Sequence, residues 1–371
     1  MIKVSRGCCG EEELAQVKEA FEYGYFGLAY KVNEFEEELK KYLNTDREVI
    51  AVNTGTSALH IALDAIGISE GDEVILPSFT FVATAQAISE CGGTPVFCEV
   101  DENTMLIDIE DVKSKITSKT KAIMPVHYSG APCDMNALME IKEKYNIRII
   151  EDAAHAIGTE YEGKKIGSFG DITCFSFDSI KVMTCGEGGA VVTNDIETAE
   201  IIRKKRLLGI DRKSMHTKDW KKRSWIYDVP LSGHRYHMSN INGAIGIAQL
   251  KKLDKFIEKR RMLCDLYNKE LNGVKGIKLP VCDFSTMAPF MYVIKVENDK
   301  RDGLKTYLMD NEIESGISYI PCHHFTYYNN NEDMPVTDKI FKEVLCLPMH
   351  YDLTENDIKE VATRIKEFLN Q

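Results

Sequence analysis

The sequence predicts an α/β fold: a large, mostly parallel seven-stranded sheet carrying helices on both faces, followed by a smaller C-terminal α+β unit. Three observations predict it. Seven short apolar runs of strand length occur before residue 196. Amphipathic stretches at helical spacing separate several of them, the pattern of strands that are crossed over by helices and buried on both faces. From about Asn242 the alternation stops and a long helical stretch begins. The expected division places residues 1–245 in the large unit and 246–371 in the small one.

The elements follow in order. EEELAQVKEAFEYG (11–24) has Leu14, Val17, Ala20 and Phe21 at helical spacing, and VNEFEEELKKYL (32–43) sets Phe35, Leu39 and Leu43 on one stripe. The strand-like runs are EVIAVN, DEVILPS, TPVFCEV, KAIMPVH, IRIIED, DITCFSF and GAVVTN. Helix-like stretches between them are TSALHIALDAIG, TAQAISECG and MNALMEIKEKYN. GAIGIAQLKKLDKFIEKRRMLCDLYNKELNG reads as one long helix or two nearly continuous ones. MYVIKV, a helix at RDGLKTYLMDNE, the run GISYIPCHH and a final helix at ENDIKEVATRIKEFLNQ complete the chain.

Composition narrows the function. Of 371 residues, 44% are hydrophobic and 28% charged, as in ordinary soluble domains, and the net charge of −12 argues against a general nucleic-acid binder. No apolar run approaches the roughly 18 residues of a spanning helix, so no membrane partner is expected. MIKVSRGCCGEEEL lacks the apolar stretch of a signal peptide, and a cytoplasmic location is the default expectation. The eleven cysteines, scattered through apolar segments, read as free thiols of a reducing compartment. Cys8-Cys9 and Cys322-His323-His324 have no second ligand pair at zinc spacing, and no metal is expected. One segment reverses the acidic trend: residues 211–228 carry Arg212, Lys213, Lys218, Lys221, Lys222 and Arg223 among both tryptophans and Tyr227. It is either a solvated loop or a loop that meets a polyanionic ligand and stacks on its ring.

Three segments carry chemistry. In NTGTSALHIAL (53–63) an apolar strand runs through Gly55, Thr56 and Ser57 directly into a helix, whose free amides and partial positive charge suit an anion. Taken alone, it is equally an ordinary helix cap. In IRIIEDAAHAIG (147–158) a strand ends on Glu151-Asp152, with His155 following. Carboxylates at the carboxyl ends of parallel strands sit where such sheets bind ligands, although an aspartate cap of a short helix reads the same way. In CFSFDSIKVMTCGEGGAVVTND (174–195) Lys181 lies between two strand-like runs. A lysine is seldom buried unless engaged. The three together fit one ligand with a phosphate, a protonatable ring nitrogen and an aldehyde that traps an amine: pyridoxal phosphate.

With these residues in view, the chain resembles the DegT/DnrJ/EryC1/StrS family of sugar aminotransferases, a branch of the fold-type-I pyridoxal-phosphate enzymes. The resemblance runs from FGLAYKVNEFEEEL to EVLCLPMHYDLTENDIKEV. Its carriers are NTGTSAL, GDEVILPSFTFVATAQAI, PVHYSGAPCDM, EDAAHAIG, GSFGDITCFSF, GEGGAVVTND and MSNINGAIGIAQL. It implies Lys181 as the Schiff-base lysine and Asp152 as the partner of the ring nitrogen. It further implies His155 near the ring hydroxyl oxygen, Phe81 stacked on the ring, and Gly55, Thr56, Ser57 and Ser176 around the phosphate. His323 matches a family histidine near the sugar. Val182 stands where asparagine is common, and Arg235 where many members have an asparagine that reaches the neighbouring subunit's cofactor phosphate. An arginine there makes a bidentate contact.

The resemblance implies a homodimer with shared active sites that moves an amino group from L-glutamate to a nucleotide-linked ketosugar. PVHYSGAP and FSFDSIK look most like members that aminate C4 of a UDP-, dTDP- or GDP-linked 4-keto-6-deoxysugar. A 3-ketosugar or cyclitol aminotransferase is the alternative. A sugar 3-dehydratase of the same family would have histidine in place of Lys181, and a non-catalytic regulator would carry a DNA-binding extension that is not visible.

Overall fold

The computed structural model describes residues 1–211, 227–328 and 332–370. Two helices, α1 (Glu11–Tyr23) and α2 (Tyr30–Leu43), precede β1 (Glu48–Val52) and α3 (Gly55–Ala65). Next come β2 (Glu73–Pro77), α4 (Val82–Glu90), β3 (Thr94–Cys98), α5 (Ile109–Lys115), β4 (Thr120–Ile123), α6 (Met135–Tyr145) and β5 (Arg148–Asp152). A two-stranded ribbon, β6 (Glu160–Tyr161) and β7 (Lys164–Lys165), leads to β8 (Ile172–Ser176), β9 (Gly189–Thr193) and α7 (Ile196–Lys205).

Seven strands form one sheet in the order β1-β9-β8-β5-β4-β2-β3. β9 runs antiparallel to both β1 and β8, while the pairings from β8 through β5, β4 and β2 to β3 are parallel. Its strands alternate between two cores, as a period of two requires. Val49, Ala51, Phe175, Ala190 and Val192 pack with Phe35 and Leu39 of α2. Ile50, Val52, Cys174 and Val191 face the opposite way, onto Ala58, Ile61 and Ala62 of α3 and Ile202 of α7. Further along, Ile75, Ile123 and Ile149 meet Val112 of α5 and Leu138 of α6. All seven strand-like runs of the sequence are strands of this sheet.

The C-terminal part consists of α8 (Asn240–Leu271), β10 (Ile277–Lys278), β11 (Tyr292–Val296), α9 (Arg301–Asp310), α10 (Pro335–Glu343), β12 (Val344–Leu347) and α11 (Glu355–Leu369). β10, β11 and β12 make an antiparallel sheet. Its core joins Leu263 and Tyr267 of α8 to Leu304 and Leu308 of α9 and to Ile358, Val361 and Ile365 of α11. The expected division at residue 245 falls inside α8, which is one unbroken helix. Residues 2 and 4 lie against this C-terminal part, through Ile2 beside Ile313 and the Met349 amide on the Val4 carbonyl.

The helix α1 differs from its apolar spacing. Leu14 and Phe21 are exposed, whereas Glu13 is buried. Glu13 accepts from Gln249 Nε2 at 2.8 Å and pairs with Lys252 on α8 at 2.5 Å. α1 is therefore docked through this polar anchor together with buried Ala20, and Leu14 and Phe21 are left on the surface with Tyr23, Tyr25 and Phe26.

Candidate active site

The chemistry-bearing residues gather at one edge of the large sheet, at the carboxyl ends of its parallel strands, where open α/β sheets bind ligands. Asp152 ends β5 and Ser176 ends β8. Gly55 opens α3 just past β1, and Lys181 lies in the loop between β8 and β9.

Lys181 is partly buried, with Nζ 4.5 Å from the centroid of the Phe290 ring. Burial pushes its pKa down to about 8, against the pull of Asp152 and Asp178. Burial thereby raises the fraction present as the nucleophilic amine near neutral pH well above that of an ordinary lysine. Asp152 is buried. Its Oδ2 accepts from Thr84 Oγ1 at 2.8 Å and its Oδ1 from the Ala154 amide at 3.1 Å. Burial holds its carboxyl above its ordinary value, although those hydrogen bonds and the Lys181 charge oppose the rise. A cation brought against it would restore the carboxylate. Residues 153–158 form turns and no helix, so Asp152 caps nothing and its side chain faces the site.

The neighbouring Glu151 is wholly buried and points into the core. It accepts from His127 Nε2 at 2.9 Å, Thr173 Oγ1 at 2.6 Å and the Gly170 amide at 2.8 Å. Burial disfavours its charge, but these donors outweigh burial and hold it below the usual carboxylate range. His127 Nδ1 accepts from the Cys133 amide at 3.0 Å, so the ring is the neutral tautomer with its proton on Nε2. The His127 amide donates to the Asp152 carbonyl at 3.1 Å, which ties this buried pair to the strand end bearing Asp152.

His155 is buried and stacks on Phe290, ring centroids 4.3 Å apart and planes 25° apart. The Ser129 amide donates to its Nδ1 at 3.3 Å, leaving the proton on Nε2, 3.0 Å from the Tyr319 hydroxyl. Burial, reinforced by the Lys181 charge, pushes its pKa well below the ordinary value, so it is a neutral donor. Tyr319 then leads to Phe81, whose half-exposed ring lies 5.6 Å away. Arg260 of α8 fixes Phe290 from behind: its Nη1 donates to the carbonyls of Pro289 (3.3 Å), Phe290 (3.1 Å) and Met349 (3.2 Å).

The start of α3 is built by close approach. A Cβ on Gly55 would lie 2.7 Å from Ser176 Cβ and 2.8 Å from its Oγ, and one on Gly189 would lie 2.3 Å from the Thr54 carbonyl oxygen. Both glycines are needed for α3 to begin hard against β8 and β9. Thr54 caps α3 by accepting the Ser57 amide at 3.0 Å. The amides of Gly55 and Thr56 have no acceptor within a first helical turn and open onto this corner. Thr56 is exposed. The Ser57 hydroxyl is drawn inward to Asn53 Oδ1 (2.6 Å) and Thr54 Oγ1 (2.7 Å), so Ser57 fixes the shape of this helix start.

Two sequence candidates lie apart from this cluster. Arg235 is exposed, and its segment runs beside the end of β1, where the Asn53 amide donates to the Tyr236 carbonyl at 2.7 Å. His323 is buried with both ring nitrogens engaged, Nδ1 with Ser78 Oγ at 2.7 Å and Nε2 with Asp338 at 3.2 Å. The basic segment 211–228 falls almost wholly outside the described residues. Sequence reasoning missed Thr84, Phe290 and Tyr319. Thr84 alone had a signal, its place one turn past Phe81; the other two reach the site through tertiary packing.

A half-buried amine of lowered pKa, a buried carboxylate that gains from a cation, and a helix N-terminus beside a serine fit pyridoxal phosphate, and the fold around them is that of fold-type-I transferases using it. The comparisons place the chain more closely. It matches the DegT/DnrJ/EryC1/StrS aminotransferase family over residues 7–366 and belongs to that family. The spore coat polysaccharide biosynthesis protein SpsC of Bacillus subtilis is 34% identical over 97% of this chain and 95% of its own. The sugar aminotransferase CalS13 of Micromonospora echinospora superposes with a TM-score of 0.90 at 29% identity, over 99% of this chain and 100% of that one. Spr1654 of Streptococcus pneumoniae is 26% identical over the whole of this chain. Its forms with pyridoxal phosphate and with pyridoxamine phosphate have TM-scores of 0.91 and 0.92 and are covered over 98% and 99% of their lengths. The chain is thus a pyridoxal-phosphate-dependent aminotransferase of the sugar aminotransferase family. Among the described residues no helix is long and apolar enough to cross a membrane.

Proposed function

We propose that the protein transfers the amino group of L-glutamate to C4 of a nucleotide-linked 4-keto-6-deoxysugar, for amino-sugar or surface-glycan biosynthesis. The observation that carries the sugar assignment is the position of PVHYSGAP, the segment most like that of C4-aminating relatives. It packs directly on the site, with the Ser129 amide on His155 and the Tyr128 hydroxyl donating to the Ser318 carbonyl beside Tyr319. The polysaccharide role in the name of SpsC points the same way. Eleven free thiols among the described residues favour a cytoplasmic setting.

In this reading Lys181 would hold the cofactor by its aldehyde group and, once its amine is free, would carry the proton removed from the donor's α-carbon. Asp152 would hold the ring nitrogen, His155 would donate to the ring oxygen and Phe81 would cover the ring. Gly55, Thr56, Ser57 and Ser176 would take the phosphate, and His323 would stand toward the sugar. Bound there, pyridoxal phosphate supplies an aldehyde that captures amines and a protonated ring that accepts an electron pair. The direct test offers UDP-, dTDP- and GDP-4-keto-6-deoxysugars with L-glutamate and measures 2-oxoglutarate. Turnover on one of them is expected. Turnover only on a 3-ketosugar or a cyclitol ketone would overturn the C4 assignment.

Two predictions follow from single residues. With its amine at about 8, Lys181 is roughly one-tenth deprotonated at pH 7 and nine-tenths at pH 9. The apoprotein is therefore expected to capture pyridoxal phosphate about tenfold faster at pH 9, measured by stopped-flow absorbance, and a flat profile would contradict it. Arg235, exposed on the single chain, is assigned to the cofactor phosphate of a partner subunit, and the exposed Phe21, Tyr23, Tyr25 and Phe26 surface suits such a homodimer. Arg235→Ala should weaken cofactor retention about tenfold, as loss of one charge-assisted contact does. Unchanged retention on dialysis would remove the residue from the phosphate site.

A further inference from the structure

Away from the lysine, two imidazoles converge on one carboxylate. Cys322–His324 form a single 3-10 turn. From it His323 Nε2 lies 3.2 Å and His324 Nε2 2.7 Å from the same oxygen, Oδ1 of Asp338 on α10. All three donor atoms fall within 4.8 Å of one another. The supports are rigid. The amides of Val336 and Thr337, at the start of α10, donate to the Glu99 carboxylate at 3.0 and 2.8 Å. On the other side, fully buried Ser78 accepts the His323 amide at 3.1 Å, sets its hydroxyl 2.7 Å from His323 Nδ1, and receives the Cys322 amide on its carbonyl at 2.8 Å.

We propose that His323, His324 and Asp338 form a binding site for a divalent transition-metal ion of the zinc, cobalt or nickel type, with water completing the coordination. Two imidazoles and one carboxylate suit these ions and not magnesium or calcium, which take oxygen donors. Bonds of about 2.0–2.1 Å in a tetrahedron put neighbouring donors about 3.3 Å apart. The His323–Asp338 edge already has that length. His324, its side chain one-third exposed, is free to rotate for the remainder. Ser78 is the outer partner that metal-bound histidines require. Without metal, its hydroxyl donates to Nδ1 and the ring proton on Nε2 goes to Asp338. On binding, that proton moves to Nδ1, Ser78 Oγ accepts it, and Nε2 turns a lone pair to the ion. His324 shifts its own ring proton to Nδ1 in the same way. The cation then joins the 322–324 turn to α10 and, through Ser78, to the turn that carries Phe81. His323 is also the residue placed toward the sugar, and an ion on its Nε2 would compete with that role, so the site is tested by metal binding without substrate.

The test is calorimetric titration of zinc chloride into the full-length enzyme loaded with pyridoxal phosphate, stripped with chelator and desalted. His324→Ala and Asp338→Asn serve as variants, since neither belongs to the transamination machinery. One zinc per chain is expected in the parent, at least tenfold weaker in both variants, and zinc should raise the melting temperature of the parent only. All three proteins share the eleven cysteines, so thiol binding would be common to them. An isotherm unchanged in both variants, or no saturable zinc binding in the parent, would overturn the site. Unfolding curves in chelator show that each variant is folded before it is compared.

Discussion

Lys181→Ala is expected to lose transamination by on the order of 10²–10⁴-fold, while the protein still binds pyridoxal phosphate through its other groups. The residue acts twice, as the amine that holds the cofactor's aldehyde and as the base that carries the α-proton. Its removal should not unfold the chain. The side chain is half-buried, makes no hydrogen bond from Nζ among the described residues and is costly to keep charged, so the melting temperature should stay or rise. Partial recovery of the rate by added methylamine, which replaces the missing amine without restoring the tether, would separate the chemical role from a structural one.

Asp152→Asn is expected to lower the rate by about 10²–10³-fold, the scale on which one preorganised charge at a reacting centre acts. The amide keeps the shape and can still accept from Thr84 or the Ala154 amide, but it cannot hold a proton on a ring nitrogen. Loss of rate without loss of fold is the signature. A collapse of the melting temperature would instead mean that Asp152 matters through Thr84 and the turn at 153–158. A rate within a factor of a few of the parent would remove Asp152 from the site.

Much of the fold was legible because its cause is local. Each of the seven sheet strands is a run of apolar residues bounded by turn formers, and both faces are buried, so the runs are continuous. Three helices, α5, α7 and α10, were missed: they are short, so each offers few apolar positions to a periodicity, and caps such as Asp108 and Asp195 and the Glu99 contact at the start of α10 help to fix them. The antiparallel direction of β9 was also beyond reach, since a run such as GAVVT has no direction of its own. In α1 the apolar spacing misled about burial, because Glu13 and not Leu14 faces α8.

The site divides in the same way. Asp152, Gly55 and Ser176 could be singled out because each sits at a strand end or a helix start, positions that follow from topology, and Lys181 because it is a lone cation in the loop between two strands. Phe290 and Tyr319 come from the C-terminal part and meet His155 only after folding. His323 was readable as a residue but not in its surroundings. Asp338 lies fourteen residues beyond His324 on a helix the spacing did not reveal, and the pairing of both histidines with it exists only in three dimensions.

The measurement that tests the account most directly is the visible absorbance of the protein reconstituted with pyridoxal phosphate, before and after L-glutamate, with Lys181→Ala alongside. The account predicts a band of the lysine-bound cofactor that glutamate bleaches and that Lys181→Ala lacks at rest. A protein that shows no such band, or one that Lys181→Ala retains unchanged, would contradict it.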